Sequence, residues 1–356
     1  MIKRSSILSG FLFVAVMAVS QPPAGYYLEA EGKTGVELKQ ALHDIIKGHT
    51  ESTYTALWTH FVATDSTADG MVWDMYSDIP GGTPPYIFTF GTNQCGSYQK
   101  EGDCYNREHS FPRSWFGGEI MPMYTDLFHL YPTDGWVNNK RGNYPFGVVA
   151  SATWTSLNGS KLGSNSWPGY SGTVFEPVDA YKGDFARTML YMAVRYYGED
   201  GSWPGSDMVT GAEPKSWAVS MLLHWHNTDP VSQKETNRNN AVYGIQNNRN
   251  PFIDKPEYAV AIWGDPTSVS ETASAATRPV LYPLPAKESV TVSFPEYFKG
   301  EAVIRIISLT GRDIKSIVAP YSETIEIDFG DTPPGTYLLI LRVGPHRYSY
   351  LLPVIK

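Results

Sequence analysis

Two hydrophobic rhythms divide the chain. Over 34–49 (TGVELKQALHDIIKGH), Val36, Leu38, Leu42, Ile45 and Ile46 recur near helical spacing, with Thr34 where an N-cap belongs. The stretch 179–198 predicts a longer helix, with Phe185, Met189, Met192, Ala193 and Tyr196 on one face and Gly198 as its stop. A third helix is predicted over 213–226, and 71–77 (MVWDMYS) and 126–132 (DLFHLYP) have strand character. After residue 280 the period changes to two. SVTVSF, AVIRIISL, SETIEIDF, GTYLLILRV and YSYLLPVIK alternate apolar and polar positions between turns such as LTGR and TPPGT, which predicts a small antiparallel β-sandwich.

The two rhythms are separated by 268–279 (SVSETASAATRP), a small, polar, aromatic-free stretch that reads as a linker. At the other end, Lys3 and Arg4 precede the apolar run 7–19, and Ala18-Val19-Ser20 offers a small-x-small cleavage site before Gln21. That run is short for a membrane span and no later segment approaches one, so 1–20 is expected to be an export signal and the rest to have no membrane span. The expected organisation is a signal over 1–20, a catalytic domain over 21–267, a linker over 268–279 and the sandwich over 280–356. In an exported chain Cys95 and Cys104, the two cysteines, suggest one disulfide, worth about 2.5–3 kcal/mol by loop-closure entropy.

Charge narrows the chemistry. The whole chain carries −8, and 21–277 holds 17 Lys+Arg against 28 Asp+Glu. Bulk electrostatics therefore exclude tight nucleic-acid binding, and any phosphate site needs a local basic patch or a metal ion.

The most reactive-looking segment is 104–119 (CYNREHSFPRSWFGGE), where Glu108-His109 stands between Arg107 and Arg113. Taken alone, this is more often a solvated ion-pair cluster than a catalytic one. Downstream, DLFHLYP leads into DGWVNNKRG, a short helix that Thr133 would cap, with Asn138 about one turn in. Strand, loop, strand and helix make a ββα unit that brings three groups to one point. His109 is a base whose unperturbed pKa is near neutrality, while Glu108 and Asn138 are hard oxygen ligands for Mg²⁺ or Ca²⁺. Such a set suits metal-assisted phosphodiester hydrolysis. Adjacent strand residues point to opposite faces, so Glu108 and His109 cooperate only if the strand ends there, as Phe111-Pro112 would require. His129 reads as a buried supporting residue. His224 and His226, two apart on a helical run, point away from each other and do not make a zinc site with Asp229. Between Pro230 and Ile253, Lys234, Arg238 and Arg249 outnumber Glu235, a positive island that would hold phosphate or cap loops.

Together YNREHSFPRSW, DLFHLYPTDGWVNNKRGN, FEPVDAYKGDFARTMLYMAVRY and DPVSQKETNRNNAVYGIQNNRNPFID closely resemble the bacterial endonuclease I family, in order, over roughly 32–263. The resemblance implies an α+β fold with a ββα-metal nuclease core surrounded by helices, followed here by the C-terminal sandwich. It implies a secreted or periplasmic DNase of little sequence specificity, with RNA as a further substrate and 5′-phosphate products. His109 matches its general base, and Glu108 and Asn138 match the ligands of one Mg²⁺, with Ca²⁺ or Mn²⁺ as alternatives. Arg141 matches a basic position after the ligand Asn. Arg113, Arg238 and Arg249 are further candidates for backbone phosphate contacts, with His129 and Asn143 in support. The family's transition-state arginine has no aligned counterpart. YPLPAKESVTV, IRIISLTGRDI and PPGTYLLILRVG resemble the sorting domain of the type IX secretion system, with Leu284 where an Asn is usual. That implies export through the periplasm to the medium or the cell surface by that machinery. The rival expectation is a non-catalytic surface protein binding nucleic acid or glycan.

Overall fold

A computed structural model describes residues 22–264, 279–294, 301–308, 312–320, 323–343 and 346–355. The expected export signal and all but the last residue of the expected linker lie outside the described residues. The chain divides between Gly264 and Asp265 into two compact units.

The first unit mixes helices with short sheets. Helix α1 (Gly35–Ile46) forms where its apolar spacing predicts; Thr34 takes the N-cap backbone, but its side chain makes no capping bond. Helix α2 spans Leu57–Thr64. Strands β1 (Tyr105–His109) and β2 (Leu130–Asp134) pair antiparallel, with the four-residue helix α3 (Arg113–Phe116) between them and α4 (Gly135–Arg141) directly after. A three-stranded sheet follows, β3 (Val149–Thr155), β4 (Lys161–Asn165) and β5 (Thr173–Glu176), each pairing antiparallel with the next. Helix α5 (Lys182–Arg195) is buried almost all round, as a helix at the centre of a core must be. The two-residue strands β6 (Val209–Thr210) and β7 (Glu213–Pro214) lead into α6 (Ser216–Thr228), and α7 (Gln233–Gln246), α8 (Pro251–Asp254) and α9 (Glu257–Trp263) complete the unit.

Three local expectations give way. Residues 71–77 do not form a strand. The Asp74 carboxylate accepts from the Tyr76 N–H at 2.8 Å and its carbonyl accepts from Ser77 and Asp78, which turns the chain. In 126–132 the strand starts late, because the Asp126 side chain accepts from the Phe128 N–H and winds Leu127–His129 into a 3-10 turn. The cap of α4 is Asp134, accepting from the Val137 N–H at 2.8 Å, while Thr133 is still paired in β2.

The second unit follows its period-two pattern. Strands β8 (Val280–Tyr282), β9 (Ser289–Ser293), β10 (Ala302–Ser308), β11 (Asp313–Ala319), β12 (Thr324–Asp328), β13 (Gly335–Val343) and β14 (His346–Val354) form two antiparallel sheets, ordered β11-β10-β13-β14 and β12-β9-β8. Alternate side chains, among them Val290, Val292, Ile304, Ile306, Leu339 and Leu341, turn into one core shared by both sheets.

Candidate active site

Strand β1 ends at His109, and Ser110, Phe111 and Pro112 carry the chain into α3. At that end Glu108 and His109 both line one cleft of about 710 Å³, together with Asn106, Arg107, Arg113, Asn138 and Asn143. The disulfide Cys95–Cys104, with Cα atoms 5.6 Å apart, borders it through Cys95. Gly135 opens α4 because the Tyr98 ring packs against it; a Cβ there would lie 2.5 Å from that ring, which also lines the cleft.

Glu108 is 2% exposed. The Tyr76 hydroxyl donates to its Oε1 at 2.9 Å, and the Arg141 guanidinium stands 3.4 Å from the same oxygen. Burial pushes the carboxyl's pKa up, and Arg141 and the Tyr76 hydroxyl oppose that rise. The turn at Asp74, where a strand was expected, is what delivers Tyr76 to this carboxylate.

His109 stacks on Tyr124, with rings 5.5 Å apart and 12° from parallel, and lies near-parallel to Tyr54 at 6.0 Å. Its Nε2 is 3.1 Å from the Tyr124 carbonyl. A carbonyl only accepts, so the proton sits on Nε2 and the lone pair on Nδ1. Burial, then the nearby His129, Arg113 and Arg107, holds its pKa well below the ordinary value, against the Tyr124 carbonyl. The ring is neutral at neutral pH. His129 is fully buried, donates from Nε2 to the Met123 carbonyl at 2.7 Å, and packs its ring 5.4 Å from that of His109.

Asn138 reaches back across the hairpin, its Nδ2 donating to Asn106 Oδ1 at 2.6 Å. Asn106 was not singled out in the sequence, although period two puts it on the same strand face as Glu108. Asn143 is exposed at the rim.

The expected phosphate-binding arginines separate into two kinds. Arg113 is half-exposed at the rim, 3.1 Å from Glu119. Arg141, Arg238 and Arg249 are buried, and of the two expectations for the 230–253 island the contacts of Arg238 and Arg249 are those of side chains that cap loops. Arg141 donates to the His109 and Ser110 carbonyls and clamps the strand end. Arg238 pairs with Asp65 and donates to the Leu127 and Leu130 carbonyls. Arg249 pairs through two nitrogens with Asp254. His224 and His226 stand apart as expected, His226 turning inward to the Pro256 carbonyl while His224 stays at the surface against Trp167.

Among the described residues no group of three or more His, Cys, Asp or Glu stands together as a metal cage. The Glu108 carboxylate and the side-chain amides that line the same cleft are hard-oxygen donors, the chemistry that Mg²⁺ or Ca²⁺ takes. No helix among the described residues is long and apolar enough to cross a membrane.

Comparison with known proteins shows a nuclease family. The Endonuclease I family model matches residues 34–257, more than half of the chain, and the chain belongs to that family. It is 38% identical over 259 residues to the extracellular ribonuclease of Bacillus amyloliquefaciens, a match covering 70% of this chain and 81% of that protein. It is also 38% identical over 248 residues to the extracellular ribonuclease of Bacillus subtilis (strain 168), covering 67% of this chain and 78% of that one. The Endonuclease-1 of Buchnera aphidicola subsp. Baizongia pistaciae is 26% identical over 182 residues, 45% of this chain and 67% of its own length. A secretion system C-terminal sorting domain model matches residues 280–349. The protein is thus a nuclease enzyme carrying an export address, of a family whose members are generally metal-dependent.

Proposed function

We propose that this protein is a secreted endonuclease that hydrolyses phosphodiester bonds of DNA and RNA with little sequence preference. His109 is the general base, and Glu108 and Asn138 hold one divalent ion, Mg²⁺ first and Ca²⁺ or Mn²⁺ as substitutes. The observation that carries this reading is the convergence of Glu108, His109 and Asn138 on one cleft, with the His109 lone pair on Nδ1. The names of the Bacillus relatives favour RNA among the substrates, and that of the Buchnera relative gives internal cleavage without naming the polymer.

Nδ1 of His109 takes the proton of the attacking water, and the Tyr124 carbonyl, bonded to Nε2, shares the positive charge that the ring acquires. Tyr76 and Arg141 fix Glu108 from behind, and Asn106 fixes the Asn138 amide so that its oxygen stays presented. When bound, the ion would neutralise phosphate charge and stabilise the leaving 3′ oxygen, so that the P–O3′ bond breaks and the phosphate stays on the 5′ end. Substrate contacts go to phosphate and sugar. The second unit directs export through the type IX machinery, to the medium or to attachment at the cell surface.

The test is plasmid and RNA cleavage by the intact protein. His109→Ala is expected to lower the rate by about 10²–10⁴-fold with unchanged circular dichroism, and EDTA to stop cleavage until Mg²⁺ is restored. Full activity in His109→Ala removes the base assignment, and indifference to chelation removes the ion.

A further inference from the structure

We propose that Arg107 is a phosphate grip for the substrate strand, held ready by the rings of Tyr54 and Trp58. This rests on the nucleic-acid reading above and adds a binding residue to it. Arg107 lies two positions before His109 on β1, hence on the same strand face, and lines the cleft. Its guanidinium carbon is 3.5 Å from the centre of the Tyr54 ring and 4.3 Å from that of Trp58. One nitrogen, Nη1, donates to the Tyr54 carbonyl at 2.7 Å.

What sets Arg107 apart from the other arginines described in the first unit is the lack of a carboxylate. Arg113 faces Glu119, Arg141 faces Glu108, Arg238 faces Asp65 and Arg249 faces Asp254. Among the described residues Arg107 has no carboxylate within ion-pair distance, although acidic groups outnumber basic ones in this part of the chain. A half-buried, uncompensated guanidinium gains from an anion, and the cleft it lines is where a phosphodiester would lie. The fork of a guanidinium has five N–H donors, and a phosphate accepts two of them in parallel. Stacking on two rings holds the plane of the fork, so less freedom is lost when phosphate binds. The same wall continues to the base: Tyr54 stacks on Tyr124 at 4.3 Å, and the Tyr124 carbonyl holds His109. Grip and general base are mounted on one set of rings.

The experiment uses the intact protein in EDTA, which prevents cleavage, and reads the anisotropy of a fluorescein-labelled single-stranded oligonucleotide across a salt series. In the wild type, log affinity falls linearly with log salt. Arg107→Ala is expected to reduce that slope by about 0.7, one phosphate contact on a single strand, and to weaken binding about tenfold at low salt. Arg107→Lys keeps the slope and only part of the affinity. Tyr54→Leu keeps the slope and weakens affinity, because the charge remains but its holder is gone. If Arg107→Ala is misfolded by circular dichroism, Arg107→Gln supplies the same reading with the stem retained. A wild-type slope in the charge-removing variant overturns the grip, and unchanged affinity in Tyr54→Leu overturns the role of the rings. Absence of salt-dependent binding in the wild type overturns the nucleic-acid reading itself, a different failure from either.

Discussion

The two units bury different kinds of side chain. In the second, every buried residue among those described is apolar, and the side chains of its sheets simply alternate. In the first, buried charges and amides run through the interior: Arg238 on Asp65, Arg187 on Glu235, Arg249 on Asp254, Arg141 on Glu108. The difference comes from backbone. A sheet unit satisfies its N–H and C=O groups within its own ladders. The first unit has long stretches between elements, such as those around the Asp74 turn and before β2, whose buried carbonyls need donors. Arg238 supplies Leu127 and Leu130, Arg141 supplies His109 and Ser110, Asn248 supplies Ile46 and Asn158 supplies Met75. Irregular backbone is also what lets Glu108 and His109 serve one cleft, so the buried polar scaffold is the cost of the site.

That contrast can be broken experimentally, because all ten tryptophans precede Gly264 and their fluorescence reports on the first unit alone. The largest loss is expected for Arg238→Met, which strands the Asp65 carboxylate and two carbonyls. Denaturant titration followed by tryptophan emission should show a loss of about 3–5 kcal/mol; a change below about 1 kcal/mol would mean that the buried pair does not hold this unit together. Next comes Ile304→Ala in the sheet core of the second unit. It should cost about 3 kcal/mol there, visible in far-ultraviolet circular dichroism, with the tryptophan transition and cleavage unmoved. Loss of either tryptophan stability or cleavage would show that the units do not stand independently.

The third effect is in pH. Burial alone would raise the Asp126 carboxyl, but His49, His129, the Gln246 amide and the Phe128 N–H outweigh it and hold its pKa at about 2, below the ordinary 3.8. A depressed carboxyl stabilises the native state fully above its unfolded value, and the contribution disappears as pH falls from 3.8 through about 2. The first unit should therefore lose about 2 kcal/mol in that window. Asp126→Asn should lack this loss, and the second unit should show no counterpart. Equal pH dependence of wild type and variant in tryptophan-monitored melts would exclude Asp126 as its source.

The amino-acid sequence by itself determined much. Period-two alternation specified the second unit, because there a buried face and an apolar residue are the same thing. Apolar spacing also marked α1 and α5, and the order Glu-His, strand, Asn-bearing helix was legible as a hairpin with a helix behind it. Helix α7 was not legible. Its buried stripe is Glu235, Arg238, Asn239, Val242 and Gln246, at helical spacing but nearly all polar, so a search for apolar periodicity passes over it. Its start was nonetheless written locally, in the capping box of Ser232 and Glu235. Only the tertiary structure decided what each arginine does. Arg107, Arg113, Arg141, Arg238 and Arg249 are chemically alike, and nothing adjacent to them in sequence says which meets a carboxylate. Glu119 lies six residues from Arg113 and Asp254 five from Arg249, but Asp65 lies 173 positions from Arg238, and the rings beneath Arg107 come from a segment some fifty residues earlier in the chain, 53 positions in the case of Tyr54. A guanidinium's role is set by the groups that folding brings to it, and that information is spread over the whole unit rather than written beside the residue.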